Sequence, residues 1–93
     1  MEIKNNEISR QFELNTETEK ISIEYSIQEK KIFLTKLNGS NENNEALIDY
    51  MLKDIMKLAE EKRWRIVPTK TNISIFLKKN PIYKELLAPG IKI

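Results

Sequence analysis

The sequence predicts one domain of the mixed α/β class, in which an antiparallel β-meander is followed by a β-α-β crossover and a C-terminal helix. Apolar residues alternate with polar ones in the first half of the chain, whereas they recur every three or four residues after residue 44. The chain has 93 residues, so we expect a single domain over residues 1–93. Residues 1–8 show no clear period, and we expect them to be irregular.

Three strands are predicted in the first half of the chain. Phe12 and Leu14 alternate with polar neighbours, which is typical of a short strand over residues 10–14. After a polar turn, a longer alternation predicts a strand with one buried face, formed by Ile21, Ile23, Tyr25 and Ile27. Residues 31–37 are apolar on both faces near the middle, so we expect this strand to be covered on both sides.

The second half of the chain predicts a helix, a short strand and a second helix. A helix over about residues 44–63 is indicated by a stripe of apolar residues, Leu47, Met51, Ile55 and Leu58. Residues 65–67 form a brief strand that is parallel to the strand at 31–37, because a crossover helix joins the two. A second helix, capped by Thr69 or Thr71, is predicted to run to about Lys79 and to bury Ile73, Phe76 and Leu77. A further helical turn is expected at residues 83–87.

The composition removes most of the usual catalytic groups. The chain has no Cys and no His, which excludes disulfides, thiolate nucleophiles, imidazole bases and zinc sites that need either ligand. No metal site is predicted. Any chemistry must therefore use carboxylates, Lys, Tyr, hydroxyl groups or backbone dipoles.

The charges are balanced and interspersed, with 16 basic and 14 acidic residues and a net charge of +2. A nucleic-acid-binding domain usually gathers its cations on one face, so no nucleic-acid partner is predicted. The densest basic run, Lys62, Arg63 and Arg65, surrounds a predicted helix end, where cations complement the helix dipole. No stretch approaches the roughly 18 apolar residues of a membrane span, and we expect a cytoplasmic protein without a membrane partner.

Three segments carry motifs of a known family. Residues 32–38 read Ile-Phe-Leu-Thr-Lys-Leu-Asn, and residues 57–68 end in Trp-Arg-Ile-Val-Pro. Residues 73–87 combine an apolar helix, a basic pair, Asn-Pro-Ile-Tyr and Leu-Leu. These segments resemble, in order, the His-Thr-Glu-Val-Pro strand, the Ala-Arg-x-x-Gly-x-x-Val-x-Pro segment and the His-Pro-x-Tyr ending of small, single-domain members of the GNAT (N-acetyltransferase) superfamily.

The resemblance implies an acyl-CoA N-acyltransferase-like fold and acetyl-CoA as the acetyl donor. In that fold the pantetheine arm inserts between two splayed parallel strands, and the pyrophosphate binds at the start of the crossover helix. Backbone N–H groups around Leu37 and Asn38 are then expected to stabilise the oxyanion, and Lys70 is a candidate ligand for a CoA phosphate. The expected cofactor loop is Asn43, Asn44, Glu45, Ala46, Leu47 and Ile48. Tyr83 matches the family's Tyr and is a candidate for the acid that protonates the leaving thiolate.

Several positions depart from the family pattern. The glycine positions of the loop fall on Asn44 and Ala46, and Glu45 places a carboxylate where pyrophosphate is expected. Leu34 replaces the family's His, and Lys70 replaces its Cys. Each candidate also has a purely structural interpretation. Glu45 suits the first turn of any helix, Lys70 suits a solvated surface, and a Tyr at position 83 commonly packs its ring.

Two hypotheses follow from these observations. The first is an acetyl-CoA-dependent N-acetyltransferase that acts on a small amine or a protein amine, with Glu24 and Glu29 as the carboxylates on or near its strands. The second is a GNAT-like domain that has lost CoA binding and serves as an interaction module, as a monomer or a homodimer. A double-stranded-RNA-binding domain shares the meander and helix, but its N-terminal helix is missing and the charge is too evenly spread.

Overall fold

Five strands form one sheet, and two α-helices connect or follow its last two strands. The computed structural model describes residues 3–39 and 45–91. The strands are β1 (Ile3–Asn6), β2 (Gln11–Asn15), β3 (Lys20–Gln28), β4 (Lys31–Asn38) and β5 (Arg65–Pro68). The helices are α1 (Glu45–Lys62), α2 (Thr71–Lys79) and a 3₁₀ helix (Pro81–Leu86).

The sheet has the order β1-β2-β3-β4-β5. The first four strands pair antiparallel with their neighbours, and β4 pairs in parallel with β5. The predicted mixed α/β class, the antiparallel meander and the β-α-β crossover are therefore confirmed. The shortest dimension of the molecule, 19 Å, corresponds to two layers, because packed layers lie about 10 Å apart.

The core lies between the helices and one face of the sheet. Alternate residues of the central strands, such as Leu14, Ile23 and Ile32, are fully buried in it. From α1 it receives Ile48, Met51, Leu52, Ile55, Met56 and Ala59. Ile73, Phe76 and Leu77 of α2 are buried as predicted.

Two burial predictions for the strands are corrected. Phe33 of β4 is only half-buried, although Ile32 and Leu34 on either side of it are fully buried. The strand is thus covered on one side and not on both, because the helices pack against a single face of the sheet. Ile27, at the end of β3, is 40% exposed, although the alternation predicted it to be buried.

The irregular start predicted for residues 1–8 is wrong for the residues of β1. Ile3 pairs with Leu14 and Asn6 with Gln11, so β1 forms a hairpin with β2. The side-chain amide oxygen of Asn6 accepts a hydrogen bond from the backbone N–H of Ser9 and so closes the turn (3.1 Å). β1 is held by its backbone hydrogen bonds to β2. Its side chains therefore need not alternate between apolar and polar, and the sequence shows no strand period here.

In the part of the chain that the structure describes, four non-glycine residues adopt the left-handed backbone conformation. Glu29 (φ 51°) and Lys30 (φ 65°) form the two-residue turn between β3 and β4, and Arg10 (φ 54°) precedes β2. Arg63 (φ 60°) follows α1, where Trp64 N–H donates to the carbonyl oxygen of Ala59 (2.9 Å). This hydrogen bond is typical of a helix end that is usually completed by glycine.

The segment after β5 differs in detail from the sequence prediction. Neither predicted threonine caps α2, because the N-cap residue is Lys70 and its side chain makes no capping hydrogen bond. The predicted turn at residues 83–87 is the 3₁₀ helix. Beyond it, Ala88 N–H donates to the carbonyl oxygen of Ile66 (3.0 Å), so the C-terminal segment extends alongside β5. Among the described residues, no helix combines the length and apolar character needed to cross a lipid bilayer.

Candidate functional site

The parallel strands β4 and β5 stop pairing halfway along β4. Lys31 pairs with Arg65, and Leu34 pairs with Pro68 at the end of β5. Residues 35–38 of β4 extend past this point, and Lys36, Leu37 and Asn38 still pair with β3. Since backbone groups alternate between the two sides of a strand, part of this stretch points toward the side that β5 has left. We call residues 35–38 and the space beside them the β4 slot.

Two adjacent residues, Pro68 and Thr69, cause β5 to leave the sheet. Pro68 has no N–H group to offer a neighbouring strand. The hydroxyl of Thr69 donates to the carbonyl oxygen of Leu34 (2.6 Å), the last residue of β4 that β5 reaches. This hydrogen bond gives that carbonyl a partner and directs the chain into α2, which begins two residues later.

A β-bulge lies at the start of the β4 slot. Tyr25 of β3 pairs with Leu34, whereas the preceding Glu24 pairs with Lys36, so Thr35 has no opposite residue. The hydroxyl of Thr35 donates to the carbonyl oxygen of Glu24 (3.3 Å). Bulges bend a strand and increase its twist, so β4 changes direction at the point where β5 departs.

The two β4 residues predicted to contact acetyl-CoA both lie in the slot. Leu37 is half-buried and packs against the core. The Asn38 side-chain amide donates to Ser22 Oγ (3.2 Å) and to Glu24 Oε2 (2.9 Å). These bonds position the Glu24 carboxylate at the slot, whereas Glu29 lies in the turn at the opposite end of β3.

The start of α1 contains the last four residues of the predicted cofactor loop, from Glu45 to Ile48. Asn43 and Asn44 lie outside the described residues. Ala46 is exposed, Leu47 is half-buried against the core and Ile48 is buried within it. The side chains of Leu47 and Ile48 therefore anchor the helix, and only their backbone groups are left for a ligand. The first N–H groups of a helix lack intrahelical acceptors and carry its positive dipole end.

Glu45, the first residue of α1, pairs with Lys79, the last residue of α2. The Lys79 ammonium lies 2.9 Å from Glu45 Oε1, and both side chains are more than half exposed. The hydrogen bond from Lys79 to Glu45, together with their charge attraction, raises the pKa of Lys79. Sequence reasoning considered Glu45 within its own helix and missed this partner, although Lys79 belongs to the basic pair of the third motif.

The last two candidates lie on either side of α2. Lys70 is exposed, and its backbone carbonyl accepts hydrogen bonds from Ile73 and Ser74. It follows Thr69 directly and so lies at the same end of the sheet as the β4 slot. The Tyr83 ring stacks on Phe76 with a centroid distance of 5.8 Å and an interplanar angle of 13°. This geometry gives Tyr83 a packing role.

The candidate site thus combines an open strand edge, a helix start and a small set of polar side chains. In the part of the chain that the structure describes, no group of three or more carboxylates is close enough to hold a metal ion. The side chains available for chemistry are the Glu24 carboxylate, the ammonium groups of Lys70 and Lys79, and the Tyr83 hydroxyl.

This arrangement of strands and helices is an acyl-CoA N-acyltransferase-like fold. A solution NMR structure of a GCN5-like protein from Staphylococcus aureus, a proposed N-acetyltransferase, is similar to it with a TM-score of 0.76. The match covers 98% of this chain and 90% of that one, at 20% sequence identity. No family model and no curated protein matches the sequence. The structural likeness establishes the fold and leaves the activity to be argued from the site.

Proposed function

We propose that this protein is an N-acetyltransferase that uses acetyl-CoA and acetylates a small amine or a protein amine in the cytoplasm. One observation carries the proposal: β4 continues for four residues past Leu34, the last residue that pairs with β5. An extended chain can occupy such a strand edge and pair with its backbone groups. α1 is the next element after β4 in the chain, and its start suits the phosphates of the same ligand.

The residues at the helix start fit a phosphate ligand better than the sequence alone indicates. Glu45 places a negative charge there, but Lys79 lies 2.9 Å away and balances it. The pair adds no net charge to the positive end of α1. Lys79 is also an exposed cation that can turn from Glu45 to a phosphate, since an ammonium group has three donors on a flexible stem. Lys70 is a second exposed cation for the same role.

Acetyl-CoA supplies a thioester whose carbonyl carbon an amine attacks directly. In the proposed reaction, the backbone N–H group at Leu37 or Asn38 that faces the slot stabilises the oxygen on which negative charge develops. Glu24 accepts a proton from the amine, and Asn38 holds its carboxylate in place. Tyr83 donates a proton to the departing sulfur. The protein mainly contributes orientation, so neither His nor Cys is required.

A second candidate function is an interaction module that has the fold but does not bind CoA. It is favoured by the exposed Glu45 carboxylate, which lies where the resemblance places pyrophosphate. Such a module would act as a monomer or a homodimer. It predicts no saturable response to acetyl-CoA anywhere in the chain.

Amide shift mapping of isotope-labelled protein separates the two functions. We expect acetyl-CoA to shift residues 35–38 and 45–48 saturably, because these form the slot and the helix start. Adenosine 3′,5′-bisphosphate lacks the pantetheine arm and should shift only the helix start and Lys79. If millimolar acetyl-CoA leaves both segments unchanged, the acetyltransferase proposal fails and the interaction module remains.

A further inference from the structure

A groove unrelated to the β4 slot lies between the β1–β2 hairpin and the C-terminal half of α1. It consists of two adjoining cavities of about 420 and 450 Å³ that share Asn5, Glu7, Leu58 and Lys62. Cavities that hold small molecules usually measure about 300–1,000 Å³. The 420 Å³ cavity is lined also by Arg10, Tyr25, Ile27 and Trp64. We reserve the name hairpin groove for this cavity alone.

The hairpin groove and the β4 slot lie at opposite ends of the sheet. Tyr25 and Ile27 pair with Leu34 and Ile32 of β4, on the side of the bulge away from the slot. The hairpin groove also lies toward the β1 edge of the sheet, whereas the slot lies between β4 and β5. A ligand in the groove would therefore occupy a site separate from that of acetyl-CoA.

The floor of the hairpin groove is aromatic and fixed in position. The rings of Tyr25 and Phe12 lie 4.8 Å apart, and the Tyr25 hydroxyl donates to the side-chain oxygen of Asn5 (2.7 Å). Burial raises the pKa of Tyr25, so the phenol stays neutral at physiological pH. Trp64 is half-buried against the core, and Ile27 is 40% exposed, which leaves apolar surface open to a planar ligand.

The rim of the hairpin groove carries two cations and one anion. Among the described residues, the only carboxylate within 4.0 Å of a Lys or Arg is Glu45 beside Lys79, so Arg10 and Lys62 are not neutralised by close ion pairs. Glu7 is the opposing charge. Arg10 also adopts a left-handed conformation (φ 54°), and its carbonyl oxygen accepts the N–H of Tyr25 (2.9 Å). This contact attaches Arg10 to the floor residue.

Trp64 also lines a cavity outside the hairpin groove. A further cavity of about 270 Å³ is lined by Trp64, Arg63 and Arg65. The guanidinium of Arg65 is engaged, because it donates to the carbonyl oxygen of Glu85 (2.7 Å). Arg10 and Lys62 are the two cations that line the hairpin groove itself.

We propose that the hairpin groove binds a planar aromatic monoanion. The aromatic ring lies against the half-buried Trp64 and the exposed part of Ile27, because the Tyr25 side chain is only 7% exposed and offers little surface for stacking. The anionic group lies between Arg10 and Lys62, away from Glu7. This site is independent of the proposed acetyltransferase activity, and its occupancy can be tested without acetyl-CoA.

The test uses 2-naphthoate as the probe and 2-naphthamide as its uncharged counterpart of nearly equal shape. Trp64 is the only tryptophan, so its indole N–H resonance and its fluorescence both report on the groove. We expect 2-naphthoate to shift the Trp64 indole and the amides of Asn5, Arg10 and Lys62, with at least tenfold higher affinity than 2-naphthamide. Equal affinity for the two probes, or shifts elsewhere in the chain, would overturn the proposal.

Two substitutions in the same hairpin turn have opposite expected effects. Arg10→Gln removes a cation and should weaken 2-naphthoate binding to the level of 2-naphthamide, whereas Glu7→Gln removes the opposing anion and should strengthen it several-fold. Lys4→Gln is the matched control, because Lys4 loses the same charge but is not among the residues that line either cavity. An Arg10→Gln effect no larger than that of Lys4→Gln contradicts the assignment. Unchanged amide spectra outside the turn verify that each variant is folded.

Discussion

The two ends of α1 both lack glycine where the resembled motifs carry it, and the consequences differ. At the C-terminal end the backbone keeps its left-handed turn, with Arg63 at φ 60°. The change there affects only local backbone energy. At the N-terminal end, Ala46 and Glu45 alter the surface that a ligand would contact, and Lys79 compensates the added charge. The same loss of glycine therefore concerns stability at one end and binding at the other.

The largest effect is expected at Gly39, where the chain retains glycine between β4 and α1. Gly39 has φ 80°. An added Cβ would lie much closer than 3.0 Å to the carbonyl oxygen of Lys20, a separation that Cβ atoms in proteins essentially never show. We expect Gly39→Ala to lower the free energy of unfolding by about 2–4 kcal/mol, because backbone strain and a clash with backbone combine. Urea denaturation measures the loss.

Gly90→Ala is the matched control for Gly39→Ala. Gly90 has a similar φ of 87°, but no atom lies within 4 Å of the added Cβ. Only the strain of the left-handed conformation applies, so we expect a loss of about 1 kcal/mol. Equal losses in the two variants would mean that β4 and the start of β3 can separate at no energetic expense.

The second prediction concerns binding at the N-terminal end of α1. Glu45→Arg should strengthen acetyl-CoA binding about tenfold, because it replaces a negative charge with a positive one beside the proposed phosphate site, where such changes amount to about 1–2 kcal/mol. Lys79→Gln should weaken binding, since Glu45 then lacks its partner. Calorimetric titration at low and high salt measures both. Weaker binding by Glu45→Arg would contradict the placement of the phosphates at this helix end.

The third prediction concerns the C-terminal end of α1. Arg63→Gly should raise the free energy of unfolding by about 0.5–1 kcal/mol, because glycine adopts the left-handed conformation without the Cβ penalty. Acetyl-CoA binding should not change, since Arg63 is at the opposite end of the helix. Lys62→Gly, which places glycine within the helix, is the control and should be destabilising. A stabilised Lys62→Gly variant would show that the helix ends one residue earlier.

The sequence predicts those strands and helices in which buried residues recur at a regular spacing. The alternation of Ile21, Ile23 and Tyr25 and the stripe along α1 reflect local periods, and the structure confirms both elements. Contacts between distant segments leave no such pattern. Thr69 bonds to Leu34, 35 residues away, instead of capping α2, and β1 depends on its backbone pairing with β2.

The resembled motifs lead to a predicted cofactor site at Leu37, Asn38 and Glu45, and that assignment stays a prediction. The side chains that these residues contact could not be predicted from the sequence. The partners of these residues, Glu24 for Asn38 and Lys79 for Glu45, are 14 and 34 residues away in the chain. A sequence pattern that reports neighbours within one element cannot reveal such pairs.

The smallest effect is expected for the ion pair between Glu45 and Lys79 as a source of stability. Both side chains are largely exposed, and exposed pairs are screened by water and salt. The pKa of Lys79 is raised above its ordinary value of 10.5. The pair therefore stabilises the folded state fully below pH 10.5, and this contribution disappears as the pH rises through the raised pKa.

Lys79→Gln should accordingly lower the melting temperature only slightly at pH 7, and 1 M salt should remove the difference from the unmodified protein. The gap should also close as the pH rises above 10.5. Lys78→Gln, the neighbouring member of the basic pair, is the control, because Lys78 has no such partner among the described residues. A large, salt-independent loss for Lys79→Gln would show that the pair holds the two helices together. In that case the N-terminal end of α1 would contribute to stability as well as to binding.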